Sequence, residues 1–527
     1  MKFTILYISF CILVINNIIC TAANNKNTVS SLNQFELLIN LPTTNNKPSL
    51  SSNSNIGKGL LKIINGSNYS IDFAIYGLRG QPEIIEALLK AENRGVKIRG
   101  VVDKDIHDNN YYTDTIKLIN AFPNKIKTDY EKDLETSQML EKKKKKDHIP
   151  FWNPPKGFNG PPQCIGYSIP NNKAIIAVHA SRKPLTFQGD IMHNKFFIVD
   201  NQYVWTGSCN LSDSGTGGYN ANIATVVNSP TIAKWYINEF NQMFNEGLFH
   251  RDKTVNRKGT TLRTHLNNNV KIECYFSPQG DAMNEGVLPK LEKAQEEINI
   301  AVFFLTHKFI TAELIKAHNR GVRVRIIIDA TAATNGYTKH EILKAAGIPV
   351  KIENWGGKMH MKATSIDNKY LILGSMNWTT AGEKKNDENT LIINSPSIVH
   401  DYNKSFNIMW NSIPDRWLSD RPDPESHDSP MFVNDGIDND FDGLIDGEDL
   451  GCSQNPPPLQ PLPPYYIVPK RDGYELIKGN INRLGKKYYF LPTDKYYHKT
   501  TIDVSKGEKW FPSISEATEA GWKKPWH

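Results

Sequence analysis

Two stretches of this chain lie on one another without a gap: "HNKFFIVDNQYVWTGSCNLS", starting at His193, and "HMKATSIDNKYLILGSMNWT", starting at His360. Each reads His-x-Lys, then Asp five residues after the Lys, then Gly-Ser-x-Asn. A repeat on this scale constrains the fold more than any local propensity, because both copies must bury the same face in the same way. The likeness extends outward. In the first copy the patterning predicts a strand over 35–41, a helix over 59–65, the strand "SIDFAIYGL", a helix over 81–93 and the strand "RGVKIRGVVD". The second copy answers with "KIECYFSP", a helix over 286–296, "INIAVFFLT", a helix over 309–319 and "RGVRVRIIID". Beyond the motif both copies run Asn-Ser-Pro into a helical pattern, "NSPTIAKWYINEFNQMF" and "NSPSIVHDYNKSFNIMW". Strands alternating with helices imply an α/β fold, and runs such as "VRVRIIID" have the β-branched content of buried strands.

The repeat divides the 527 residues. Residues 55–255 form the first domain, with a basic and Pro-rich insertion over 110–172, and 265–414 form the second. Ahead of them, 24–54 is a polar segment and 1–23 reads as a signal peptide: Lys2, a short apolar run, then Thr21, Ala22 and Ala23. The run is too short to cross a bilayer, so the expected location is extracellular. The insertion carries "EKKKKKD". Its plain reading is a solvated loop, and its sharper one an electropositive rim for an anionic polymer or membrane. After an acidic linker (415–454) and a Pro-rich spacer (455–464), residues 465–527 read as a small module. Its closing helix has Ser513 and Glu516 as a capping box and Gly521 as a stop.

In the acidic linker "DNDFDGLIDGED" sets Asp438, Asp440, Asp442, Asp446 and Asp449 at the ligand spacing of a calcium loop, with Gly443 at the sharp turn. The expectation is a structural Ca2+ clip; the alternative is a solvated acidic linker. Past the signal segment stand Cys164, Cys209, Cys274 and Cys452, which in an exported chain can form disulfides in three connectivities if all pair. No Cys-x-x-Cys spacing indicates a zinc site.

On a strand, a His and a Lys two apart share one face, and a single strand-borne His is usually structural. Two aligned copies argue for chemistry. Splitting a phosphodiester without a metal needs a nucleophile, a proton donor for the leaving oxygen, and positive charge around the phosphoryl oxygens. His193 and His360 suit the first two roles, since imidazole changes charge near neutral pH. Lys195, Lys362, Asn210 and Asn377 supply donors, with Ser208 and Ser375 in a Gly-Ser turn that lets backbone approach the phosphate. Neither half is complete, so a pseudo-twofold must bring both sets to one point. A net charge of +7 is compatible with anionic substrates and selects none.

This doubled arrangement, His193, Lys195, Asp200 and His360, Lys362, Asp367, resembles the phospholipase D superfamily, and more closely its nuclease and cardiolipin-hydrolase branch. The resemblance implies two repeated α/β/α domains packed face to face in one chain, here with a small C-terminal module, and a phosphohistidine intermediate with no cofactor for catalysis. It also implies a carboxylate orienting the His, and "NDEN" offers Glu388, whereas the aligned "NANI" of the first half offers Asn222. Pairing each within its own half, the expectation is that Glu388 backs His360 as general acid and leaves His193 as neutral nucleophile. Asp213 is the alternative partner for His193. Asp200 and Asp367 complete the expected catalytic set of His193, Lys195, His360, Lys362 and Glu388, within which they read as more structural than chemical, anchoring the motif by hydrogen bonds. The expected partner is phospholipid or a membrane surface, with nucleic acid as the alternative, for a monomer. An inactive phosphate-binding protein is the third reading, opposed by two complete His-Lys-Asp sets.

Overall fold

The computed structural model describes residues 34–144, 189–418 and 470–525 apart from short gaps, together with two short paired strands, Ile165–Ser168 and Lys173–Ile176. The expected signal peptide, the calcium loop, Cys164 and Cys452 lie outside the described residues. Among the described residues no helix is long and apolar enough to cross a membrane.

The repeat is visible as two sheets with one strand order. The first runs Phe35–Asn40, Asn222–Asn228, Tyr203–Gly207, Lys195–Val199, Ser70–Ile75, Lys97–Val102, Ile126–Thr128. The second runs Lys271–Ser277, Glu388–Asn394, Tyr370–Gly374, Lys362–Ile366, Glu297–Val302, Arg323–Ile328, Val350–Ile352, with Leu262–His265 added outside its first strand. In each, the motif strand lies at the middle of the sheet, antiparallel to the strand that precedes the first crossover helix.

Period-two alternation sorts the side chains into layers. In Ser70–Ile75, Ile71, Phe73 and Ile75 face outward onto the helices Asn55–Asn65 and Pro82–Asn93, while Ala74 faces a core shared by both halves. In Lys362–Ile366, Ile366 faces the outer core under Lys308–Asn319 and Ala363 the shared one. The shared core also takes Tyr236 and Phe240 from helix Pro230–Phe244 and Tyr402, Phe406 and Trp410 from helix Pro396–Ser412. Both helices open with Pro after Ser, which fixes φ at a position that needs no backbone donor; Ser229 also caps its helix through Ile232 N.

Two expectations are corrected here. The segment from 110 is not all insertion: helix Thr115–Ala121 and strand Ile126–Thr128 complete the first sheet as Val350–Ile352 completes the second. A three-residue strand is too short to show a period. Cys209 and Cys274 are buried free thiols in different cores rather than disulfide partners.

Candidate active site between the two halves

Each motif His enters on a segment that borrows its backbone partner from the other half. His193 N donates to Asp387 O at 3.0 Å and Asp387 N to Ile191 O at 2.9 Å; His360 N donates to Ala221 O and Ala221 N to Lys358 O, both at 2.9 Å. These are short parallel bridges, Met192 to Asp387 and Ala221 to Met359. The residue after each bridge in the lending strand is Glu388 in one case and Asn222 in the other. Its side chain therefore reaches the His of the opposite half.

This overturns the expected pairing. Glu388 Oε1 and Oε2 lie 2.8 and 2.9 Å from His193 Nδ1, and Asn222 Oδ1 lies 3.1 Å from His360 Nδ1. Alignment of the repeat places Glu388 and Asn222 correctly in their strands but is silent about which ring each meets, because that contact is made across the halves. Asp213, the alternative partner for His193, is bound instead to Arg79 at 2.7 Å.

The motif serines are also reassigned. Ser375 Oγ donates to Glu388 Oε2 at 2.6 Å and Ser208 Oγ to Asn222 Oδ1 at 2.8 Å, and both serines are fully buried. They hold the groups that hold the rings. The preceding glycines serve the sheet and not a phosphate: a Cβ on Gly207 would stand 2.3 Å from Ile223 O, and one on Gly374 2.1 Å from Asn389 O. Asn210 donates to the Tyr112 hydroxyl at 3.1 Å, while Oδ1 of Asn210 and of Asn377 and Nδ2 of Asn222 have no hydrogen bond among the described residues.

Asp200 and Asp367 sit at the far end of the motif strands, a strand length from the rings. Asp200 accepts from the backbone of Asn68, Tyr69 and Ser70 at 2.7–3.0 Å, and Asp367 from Gln295, Glu296 and Glu297 at 2.8–3.1 Å. Both adopt left-handed backbone, φ 55° and 53°. They anchor turns, so their expected place in the catalytic set is corrected: their carboxylates are engaged by backbone N–H groups at the end of the strand away from the rings.

Lys195 and Lys362 are buried, each donating to the carbonyl of its own motif His, at 2.7 and 3.0 Å. Burial pushes Lys195 down to about 7, and burial together with the Lys195 charge holds Lys362 well below the usual ammonium range. Burial, then Lys195 and Lys362, keep the His193 ring well below the usual imidazole range; burial, then Lys362, Lys195 and His193, do the same for His360. The four groups thus act on one another at one place. Glu388 is pushed by burial up to about 8, against the pull of Lys195, Ser375 and Lys362. A pocket of this kind, crowded with latent cations and one carboxyl, is completed by a bound anion.

Two aromatic side chains escaped the reading of the sequence. Tyr76 packs against His193 at 5.2 Å between ring centroids and beneath Lys195 at 5.6 Å; Phe303 does so against His360 and Lys362, both at 5.1 Å. They hold matching places after the strands Ser70–Ile75 and Glu297–Val302. The repeat itself was the signal, since aligned "AIY" and "AVF" put an aromatic at the end of both strands.

Comparison with known proteins identifies the family. The family model "Cardiolipin synthase, PLD-like domain" matches residues 60–244 and 287–410, more than half of the chain. A phospholipase D of Rickettsia typhi is 34% identical over 129 residues, 24% of this chain and 62% of that protein, so the chain spans less than two thirds of that relative. A mitochondrial cardiolipin hydrolase of Xenopus tropicalis is 30% identical over 151 residues, 29% of this chain and 68% of that protein. A solved phospholipase D family member, Nuc from Salmonella typhimurium, shares 28% identity over 27% of this chain and 95% of its own, with a TM-score of 0.25. The chain belongs to the phospholipase D-like family.

Proposed function

We propose that this protein is a phosphodiesterase that hydrolyses phospholipids through a phosphohistidine, its two halves related by an approximate twofold and acting as one monomeric site. The observation that carries the reading is the crossed pair of rings, each fixed at Nδ1 by a group from the other half. With Nδ1 engaged, each ring is left with Nε2 as its reactive atom.

His193 is the nucleophile. Its Nε2 lone pair attacks phosphorus, and the ring becomes cationic as the N–P bond forms; Glu388 at Nδ1 compensates that charge. His360 faces a neutral amide, which orients the ring without stabilising imidazolium as a carboxylate does. Because its Nδ1–H donates to Asn222 Oδ1, the acid form of His360 is the imidazolium with a second proton on Nε2, a form the charge of the bound phosphodiester favours. That Nε2 proton passes to the leaving oxygen, and the neutral ring takes one back from the water that cleaves the intermediate. Lys195 and Lys362 hold the non-bridging oxygens. The division of roles expected from the sequence is kept, but on the opposite ground: the carboxylate serves the phosphorylated ring.

Lipid is favoured by the names of the relatives and by the mouth on the His193 side. Tyr111, 66% exposed, stacks on Tyr76 at 5.3 Å, and Leu50 is equally exposed beside Gly80. Such rings and aliphatic groups suit an interface where one end is apolar. The same exposed stack and the net charge of +7 favour single-stranded nucleic acid as a second reading. Export from the cell and a Ca2+ clip in the acidic linker are part of the proposal. The test is purified protein against phosphatidylcholine, cardiolipin and single- and double-stranded DNA, with His360→Ala as control. Cleavage of lipid abolished in that variant supports the proposal; cleavage of DNA alone replaces it with the second reading.

A further inference from the structure

Next to the segment that carries His193, and within electrostatic reach of Tyr76, lies a buried polar cluster that the phosphodiester chemistry does not use. It gathers Asp129, which follows the strand Ile126–Thr128, Asp133 on the helix Tyr130–Lys144, and His250, beyond the helix Pro230–Phe244. All three are buried, at most 3% exposed. His250 Nε2 lies 3.4 Å from Asp129 Oδ2 and 3.3 Å from Asp133 Oδ1, yet makes no hydrogen bond of ordinary geometry to either. Asp133 Oδ2 is likewise buried without a hydrogen bond.

We propose that Asp129, Asp133 and His250 bind a divalent cation of the zinc class, a structural ion that fixes the segment carrying His193.

Three observations support this independently of one another. The first is spacing. Donor atoms held roughly 2.0–2.1 Å from a tetrahedral ion stand about 3.3–3.4 Å apart. The ring nitrogen stands 3.4 and 3.3 Å from the two carboxylates, at the long edge for a hydrogen bond and without its geometry, and all three donors lie within 4.8 Å of one another. The second is the other face of the ring. His250 Nδ1 lies 3.1 Å from Asp387 Oδ2, in ion-pair reach though not in a hydrogen bond of ordinary geometry, and Asp387 Oδ1 accepts from His250 N at 2.8 Å. A carboxylate behind the far nitrogen is the arrangement that fixes a metal-binding imidazole. The third is charge. Asp103, Asp129, Asp133, Asp387 and Glu239 are all buried here; even with Asp103 held well above the usual carboxylate range by burial and by Asp129, the remaining four face Lys253 and His250, with Lys195 beyond Asp103. Buried carboxylates in such excess need a further positive charge, and an imidazole donor favours a borderline ion over calcium or magnesium.

The same residues reach the active site. Met192 N donates to Asp103 Oδ1 at 2.8 Å and Asp129 Oδ2 at 3.2 Å, Asp190 N to Asp133 Oδ1 at 3.2 Å, and Asp387 makes the backbone bridge that carries His193. An ion at this point ties together four chain segments around the nucleophile. The second half has a carboxyl pair, Asp329 and Glu353, at the place of Asp103 and Asp129 but no such His among the described residues.

The test uses the full chain, made without a polyhistidine tag. Metal content is measured by mass spectrometry after dialysis with zinc and then against plain buffer, and cobalt is titrated into chelator-treated protein. The expected results are close to one zinc per chain, visible bands of tetrahedral cobalt, and a thermal midpoint that falls with EDTA and returns with zinc. Asp133→Asn, which keeps the side-chain shape, should bind zinc at least about tenfold more weakly while remaining folded by circular dichroism. If the chain takes up neither zinc nor cobalt and its midpoint ignores EDTA, His250 is an imidazolium caged by carboxylates and the proposal fails. Zinc retained at full affinity in both Asp133→Asn and His250→Gln overturns it as well, since the ion then sits elsewhere.

Discussion

Glu388 lies 2.8 Å from Nδ1 of His193, a residue of the other half of the repeat. The mirror contact, Asn222 to His360 at 3.1 Å, has an amide where the first has a carboxyl. The two rings thus have matched geometry and unmatched electrostatics. Replacing Glu388 with Gln keeps the shape and removes the charge, and the expected loss is about 100-fold in kcat. The opposite exchange, Asn222→Asp, gives His360 an anionic neighbour. An opposite charge raises an imidazole pKa, by about 1–3 units, so the limb of the pH–rate profile set by loss of the His360 proton should move to higher pH. A profile unchanged in Asn222→Asp counts against the crossed pairing.

The separate roles of the rings can be read by trapping. With a substrate bearing a good leaving group, rapid acid-free quenching of His360→Ala should show accumulated phosphoenzyme, because departure no longer needs the acid while hydrolysis still lacks its base. His193→Ala should show none. Labelled enzyme in His193→Ala would exchange the two assignments.

Asp200 and Asp367 share the motif but not the site. Each accepts several backbone N–H groups at the far end of its strand. Asp200→Ala or Asp367→Ala should cost about 1–3 kcal/mol in urea unfolding, and leave kcat of the folded fraction within about twofold. A loss of kcat as large as that of His360→Ala, at unchanged stability, would contradict an anchoring role.

Anion binding should depend on pH through the lysines. Lys195 is pushed by burial down to about 7. Below that pH it already carries its proton, so an anion binds without proton uptake. Above it, binding must take up a proton, and affinity should fall about tenfold per pH unit until the ordinary lysine range is reached. Dimethyl phosphate, whose charge is constant here, should raise the thermal midpoint more at pH 6.5 than at pH 9. In its absence the sign is the same physics reversed: the unfolded chain holds more protons between those limits, so this lysine's burial penalty shrinks as pH rises. Affinity independent of pH would mean that Lys195 stays charged throughout.

Much of the scaffold was legible because a repeat tests itself. The strands Ser70–Ile75 and Glu297–Val302, the helices Pro82–Asn93 and Lys308–Asn319, and the turn into Pro230–Phe244 and Pro396–Ser412 follow patterns present twice. The rings, the lysines and the partner positions 222 and 388 were legible for the same reason. What the pattern could not carry was contact across the halves. The aligned strands said where Glu388 lies and nothing about which ring it meets. Ser208 and Ser375 looked like phosphate donors because their occupation by Asn222 and Glu388 is a matter of three dimensions. Asp129 and Asp133 stand four residues apart, but His250 joins them from a segment far along the chain, so the sequence shows no motif for the three.

The two lending strands meet their rings at equivalent points, yet one lends an acid and the other an amide. Identical subunits meeting about a symmetry axis could never do this, for any change on one side would appear on the other. Joining both copies in a single polypeptide releases them from that bond. Each histidine can then be tuned alone, and the specialisation is inherited with the gene rather than renegotiated at every encounter.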